Sequence, residues 1–178
     1  MRRFVLILLI LVAAIPLFAT VSYIPKAEVR LGAEFYHSKL VSESIPFRTS
    51  LNVSGDIVPV AFRSGVFGFG AGLSLSYTTR SLAFGYSITK PYGALGPVVD
   101  LSWQMTRIFS LGLKARLMFC SFGPAFVDDF ASVEAELEPA FCVYSHNRIH
   151  VNVLAPLTAV FRKDGFCLRA GAGIGIVL

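Results

Sequence analysis

Between Ala131 and Tyr144 the chain reads ASVEAELEPAFCVY, and the parity of this stretch decides the fold. Val133, Ala135, Leu137, Phe141 and Val143 share one face, and Ser132, Glu134, Glu136 and Glu138 share the other. A period of two belongs to an extended strand, whose successive side chains point to opposite faces. Three glutamates in a row on one face demand a polar surrounding for that face. The opposite face demands an apolar one.

The alternation recurs along the chain. In KAEVRLGAEFY, Ala27, Val29, Leu31, Ala33 and Phe35 oppose Lys26, Glu28, Arg30 and Glu34. From Val66 to Thr79, Phe67, Phe69, Ala71, Leu73, Leu75 and Tyr77 alternate with glycines and hydroxyl residues. Val99, Leu101, Trp103 and Met105 oppose Asp100, Ser102, Gln104 and Thr106, and the stretch from Phe109 to Phe119 sets its apolar residues against Ser110, Gly112, Lys114 and Arg116. Ile149 to Phe161 and Phe166 to Leu178 complete the series. Between Ile45 and Phe62 the apolar parity is odd at Phe47, Leu51 and Val53 but even at Val58, Val60 and Phe62, which reads as one bulged strand. Two short strands turning at Ser54, Gly55 and Asp56 are the alternative. Short turns near Arg63–Gly65, Arg107–Ile108 and Ser145–Asn147 alternate with longer loops near His37–Ser44, Arg80–Leu95 and Ser121–Asp129. The last loop, Arg162–Gly165, is short.

Composition narrows what such strands can build. The 178 residues fit one domain, and charged residues make up only 15% against 54% hydrophobic, where soluble domains carry about 25% charged. The start reads as a secretory signal, residues 1–22: Arg2 and Arg3 are followed by an apolar core from Phe4 to Leu17, broken by Pro16, with cleavage after Ala19 or, slightly favoured, after Ser22. An uncleaved anchor helix is the rival, but the core is short of the roughly 20 residues a span needs. Residues 23–178 are then the mature domain. Beyond the signal, charged or polar residues interrupt every stretch of helix-spanning length. An exported, apolar, alternating chain is either a soluble β-sandwich with its apolar face inward or a closed barrel in lipid with that face outward.

Aromatic placement argues for the barrel. Phe35, Phe47, Tyr77, Phe119, Phe161 and Phe166 fall near one set of strand ends, and Phe67, Trp103, Phe109 and Phe141 near the other, as the two interfacial girdles of a membrane barrel require. The expected fold is all-β: an eight-stranded antiparallel up-and-down transmembrane barrel following a signal peptide, with brief turns on the periplasmic side and longer loops outside. The chain ends in GAGIGIVL, where Gly173, Ile176 and Leu178 look like the C-terminal signal read by barrel-assembly machinery, although Leu178 replaces the usual terminal aromatic. In architecture the mature length resembles the small outer-membrane barrels, such as the OmpA membrane domain, OmpX and OmpW. That resemblance implies an outer-membrane address, with outer-membrane lipids and the assembly machinery as partners.

Inward parity collects Lys26, Arg30, Lys114, Arg116 and Arg169 against Glu28, Glu34, Asp100, Glu134, Glu136 and Glu138, five positive charges facing six negative. Lys114 and Arg116 can meet Glu134 and Glu136 across a hairpin, and closure brings Arg169 to Glu28 or Glu34. A balanced set in a barrel this narrow reads as a side-chain plug. The alternative is a narrow conduit for small or hydrophobic solutes, which likeness to OmpW would imply. Inner glycines at Gly68, Gly70 and Gly72, and at Gly171, Gly173 and Gly175, leave room for neighbouring side chains, water or a ligand.

No motif carries catalysis, cofactor binding or metal ligation. His146 and His150 lie on a turn and a strand, Asp128 and Asp129 read as solvated loop acids, and Cys120, Cys142 and Cys167 give no disulfide framework. The GFGAG and GAGIG runs lack dinucleotide-loop spacing. A formal net charge of +5 includes the signal's arginines, and nucleic acid is not an expected partner. The expected role is non-enzymatic: structural, or interaction at the cell surface with extracellular ligands or a host surface. The outer loops would carry it, Phe84, Tyr86, Lys90 and Tyr92 being the candidate contacts.

Overall fold

The computed structural model describes residues 21–38, 48–79, 82–83, 86–87, 91–122, 131–162 and 165–178. Eight antiparallel strands form one closed barrel. They are β1 (Lys26–Ser38), β2 (Arg48–Ser64), β3 (Phe67–Thr78), β4 (Tyr92–Gln104), β5 (Phe109–Phe122), β6 (Ala131–His146), β7 in two pieces (Ile149–Leu154 and Leu157–Arg162) and β8 (Gly165–Val177). Each pairs with the next, and β8 closes the ring on β1 from Gly165↔Ser38 to Val177↔Lys26. Closure leaves the barrel no free edge, the condition for a sheet to stand in lipid.

Direction of the apolar face separates the two architectures the sequence allows. Leu73, Leu113, Val133 and Ile174 lie 52–59% exposed on the outside, whereas Glu34, Glu134, Glu136, Lys114 and Arg116 are buried inside. This is a lipid-facing barrel, inside-out relative to a sandwich. The described residues contain no helix long and apolar enough to cross a membrane; the strands do the crossing.

The region from Ile45 to Phe62 is one strand as far as it is described, and its bulge falls at Val58–Pro59, where the β2–β3 register steps from Ile57↔Leu73 to Val60↔Ala71. Val58 keeps the inward parity of Asn52, Ser54 and Asp56 and is fully buried beside Ala61 and Val98, and the extra residue after it turns Val60 and Phe62 outward. Val58 therefore does not join Val60 and Phe62 outside, as its parity implied, and Gly55 and Asp56 are strand residues rather than a turn. Gly72 faces this bulge, and a Cβ there would lie 2.0 Å from the Ile57 carbonyl oxygen. β7 is interrupted at Ala155–Pro156, because proline has no N–H for the ladder. The ladder is rejoined by Ala155 N–H donating to Pro139 O (2.9 Å) and Gly171 N–H to Pro156 O (3.1 Å).

At the turn end the connections centre on Gly65, Thr106–Ile108 and Asn147. Gly65 and Asn147 take the left-handed conformation (φ 58° and 53°), which pushes two of the turns one or two residues beyond the positions the sequence indicates. Val21–Tyr23 runs antiparallel to the end of β2 through Tyr23↔Phe62, and the rest of the expected signal lies outside the described residues. Leu82–Ala83 and Tyr86–Ser87 pair with each other, and Leu82 pairs with Thr49.

Candidate functional site

The inward residues of β1, β2, β5 and β6 build one ionic layer across the lumen. β1 carries Glu28 and Arg30, β2 carries Asp56, β5 carries Lys114 and Arg116, and β6 carries Glu136 and Glu138. β1 and β5 stand on opposite walls of an eight-strand ring, so contacts between them cross the diameter. Lys114 Nζ donates to Glu28 across the lumen and to Glu138 Oε1 (2.6 Å) on the neighbouring strand. Arg30 bonds Asp56, donates to Glu28 Oε2 (2.6 Å) and reaches Glu138 Oε2 (3.0 Å) from the far wall. Arg116 forks twice: Nε and Nη2 hold Asp56 (3.2 and 2.8 Å), while Nη1 and Nη2 hold Glu136 (3.0 and 2.8 Å), which also accepts from Thr158 Oγ1 (2.8 Å). Planar guanidinium groups suit such bidentate pairing, and each buried ion needs it to offset its desolvation.

A second cluster joins β8, β1 and β6: Arg169 donates to Glu34 Oε1 (3.0 Å from Nε) and to both oxygens of Glu134 (3.2 Å). Arg169 thus takes Glu34, and Glu28 goes to Arg30 and Lys114. Of the hairpin pairs, Arg116–Glu136 forms at 2.8 Å. Lys114, although in register with Glu136, pairs with Glu138 instead. Lys26 pairs with Asp100 between β1 and β4.

Asp56 was not among the expected interior acids, because the alternative turn at Ser54–Asp56 hid it. Continuing the outward set Leu51 and Val53 through Gly55 to Ile57 would have placed it inward. With Asp56 the buried acids among the described residues are seven, Glu28, Glu34, Asp56, Asp100, Glu134, Glu136 and Glu138, against the five expected cations and the half-buried Arg63, an excess of one carboxylate.

The inner glycines are filled by neighbours. A Cβ on Gly70 would lie 2.6 Å from Val58 Cγ1, and one on Gly173 would lie 2.8 Å from the stem of Arg30. Above the ion clusters, Ser50, Asn52, Thr78 and Met118 pack inward, with Asn52 Nδ2 donating to Thr78 Oγ1 (2.9 Å).

On the outer wall, Phe35, Tyr77, Phe119, Phe161 and Phe166 are exposed toward the loop end, and Phe67, Trp103 and Phe141 toward the turn end, with Phe109 half-buried. Three cross-strand pairs bring rings together: Phe67–Trp103 at 6.0 Å, Phe109–Phe141 at 4.9 Å and Phe161–Phe166 at 5.3 Å. Phe47, Phe84, Lys90, Asp128 and Asp129 lie outside the described residues; the backbones of Tyr86 and Tyr92 are in strands, and their side chains are not described. No group of three metal-ligating side chains occurs among the described residues, and His150 Nδ1 shares a hydrogen bond with Ser145 Oγ (2.9 Å).

No family model and no curated protein sequence matches the chain. Among solved structures it is similar to Neisserial surface protein A, with 10% identity over 89% of this chain and 99% of that one and a TM-score of 0.51. It is also similar to Ail, the attachment invasion locus protein of Yersinia pestis, solved in complex with the heparin analogue sucrose octasulfate, with 9% identity over 88% of this chain and 99% of that one and a TM-score of 0.36. The likeness to the Neisserial protein supports the small-barrel fold.

Proposed function

We propose that the protein is a non-enzymatic barrel of the outer membrane whose interior is largely filled by its own side chains and whose outer loops make the contacts at the cell surface. The observation that carries the filled interior is the ionic layer from β1 to β5, in which Arg30, Lys114 and Arg116 hold carboxylates on facing walls. A solute crossing the barrel would have to break several of these buried pairs at once. Removing one partner from such a pair costs about 3–5 kcal/mol, a steep barrier for a small solute. The outward apolar wall supports the membrane address, because a continuous apolar surface of this extent is stable only against lipid.

Planar-bilayer recording tests the filled lumen: the purified protein should insert without reproducible conductance steps, and discrete steps that vanish on changing Arg116 or Glu136 would overturn it. The orientation is tested on intact cells. Added trypsin should cut after Arg80 in the loop following β3; a chain that is cut only after the outer membrane is permeabilised would refute the outer placement of that loop.

A further inference from the structure

Below the ionic layer, at the turn end, the lumen opens into a cavity of about 280 Å3, a volume suited to a small ion or polar group rather than a large ligand. Its charged lining is Lys26, Glu28, Arg63, Asp100, Arg107 and Glu138. The formal charges cancel, but the pairings do not. Glu28 and Glu138 each take Arg30 and Lys114 from the layer above, and Asp100 takes Lys26. Every carboxylate of the lining therefore has its cation. Arg63 and Arg107 have no carboxylate partner among the described residues.

The sequence of that end explains the surplus of positive charge. Each of its turns carries one arginine, Arg63 at the end of β2, Arg107 between β4 and β5 and Arg148 between β6 and β7, and none carries an aspartate or glutamate. Arg148 is exposed and does not line the cavity, whereas Arg63 and Arg107 both do. Arg107 is exposed. Arg63 is half-buried: its Nε is shut off from solvent, but its two Nη atoms are not, and they make no hydrogen bond among the described residues.

Uncharged donors stand with the two arginines. The Ser102 and Ser110 hydroxyls and the Asn152 amide line the same cavity, are partly exposed and make no hydrogen bond among the described residues. His150, which meets Ser145 Oγ through Nδ1, leaves its Nε2 unengaged. The surplus carboxylate of the interior lies in the layer above, where Glu28, Asp56, Glu136 and Glu138 share Arg30, Lys114 and Arg116. That layer closes the inner end and repels an anion from it, so a bound anion stays at the mouth. Two unpaired guanidinium groups beside hydroxyl and amide donors suit a tetrahedral oxyanion, because arginine presents paired N–H donors to the oxygens of a phosphate.

We propose that the turn-end mouth of the barrel binds a phosphate group, held by the Nη donors of Arg63 and by Arg107. The group arrives either free in solution or as the headgroup of a lipid in the leaflet at that end, and the chemistry that holds it is the same. The blind inner end, closed by Arg30, Lys114 and Glu138, makes this a binding site and not a passage. The site is separate from the surface role proposed for the outer loops and stands or falls without it.

The test is amide chemical-shift titration of the purified protein in uncharged octyl glucoside micelles at constant ionic strength. Sodium phosphate is compared with sodium chloride, and in a separate arm phosphatidylglycerol is added to the micelles. Saturable shifts at Ser102, Ser110 and Asn152 are expected: with phosphate for a soluble source, with the lipid alone for a headgroup. A response to neither overturns the site. Arg63→Gln and Arg107→Gln should each weaken binding roughly ten- to a hundredfold, the value of one charge-assisted hydrogen bond. Neither change strands a carboxylate, so both variants should fold. Arg148→Gln removes the same charge from the same end but not from the cavity, and should change the affinity by less than about twofold, as expected of a solvent-screened charge. An equal loss in Arg148→Gln, unchanged affinity in Arg63→Gln, or chloride saturating the same shifts at the same concentration marks diffuse attraction to a basic face and overturns the site.

Discussion

The excess of carboxylates in the interior predicts an asymmetry between removing a cation and removing an acid. Arg116→Met deletes four hydrogen bonds and leaves Asp56 and Glu136 buried with what remains. Asp56 keeps Arg30, with Lys114 at 3.8 Å; Glu136 keeps Thr158, with Arg30 at 3.7 Å. The interior already carries more carboxylates than cations, and this change widens the gap, so the loss should be about 3–5 kcal/mol, the full value for a broken buried pair. Asp56→Asn keeps the shape and one acceptor oxygen, moves the interior toward balance, and leaves Arg116 its fork on Glu136 and Arg30 its bonds to Glu28 and Glu138. Its loss should be about 1–3 kcal/mol. Because the two side chains touch, the double variant should recover about 1–3 kcal/mol relative to the sum of the singles. The assay is urea unfolding in lipid vesicles followed by tryptophan emission, for which Trp103, the single tryptophan, reports from the outer wall without disturbing the interior. An Asp56→Asn loss equal to or greater than that of Arg116→Met, or strict additivity in the double variant, refutes the reasoning.

Glycine substitutions should separate by how closely the backbones approach. A Cβ at Gly96 would lie 1.8 Å from the Leu117 carbonyl oxygen and one at Gly112 only 3.4 Å from that of Glu138, so Gly96→Ala should lower stability in the same assay by more than about 2 kcal/mol while Gly112→Ala stays within about 1. Equal losses would show that the β4–β5 approach is not as tight as described. Leu113 lies on the outer wall between Leu101 and Leu137, so Leu113→Arg should cost about 2–4 kcal/mol in vesicles, the depth-dependent penalty for a charge against lipid. A neutral result there would mean that this face does not meet the hydrocarbon.

The barrel was legible from alternation alone wherever each strand keeps a single parity from end to end. The clearest case is the stretch of β6 from Ser132 to Phe141, where Glu134, Glu136 and Glu138 are consecutive inward residues; beyond it a bulge at Val143 breaks the parity. Legibility failed where the backbone departs from the pleat. The bulge at Val58–Pro59 turns the even positions after it, Val60 and Phe62, from inward to outward, and the same local ambiguity made Asp56 look like a turn residue. The break in β7 at Pro156 changes no parity and so left no trace in the pattern. Which wall meets which was partly visible, since hairpin neighbours follow from order. The contacts across the diameter, Lys114 with Glu28 and Arg116 with Asp56, depend on stagger around the ring, which period-two patterning does not encode.

An apolar filling would pack such a barrel at less desolvation cost, yet the interior is ionic, and the lipid outside explains why. In water, an alternating strand chooses its inward face by burying the apolar side. Between lipid and an apolar core, that choice would vanish, because either face suits either side. Charge restores it. A one-residue slip of β6 against its neighbours would turn Glu134, Glu136 and Glu138 into hydrocarbon while stripping Arg116, Lys114 and Arg30 of their partners. Each charge moved into lipid is penalised, and each cation left unpaired inside costs about as much again. The ion layer therefore contributes less by lowering the energy of the native register than by raising that of every neighbouring one. Its residues are placed accordingly, on strands β1, β2, β5 and β6, so that a slip in either half of the ring breaks pairs that span the lumen.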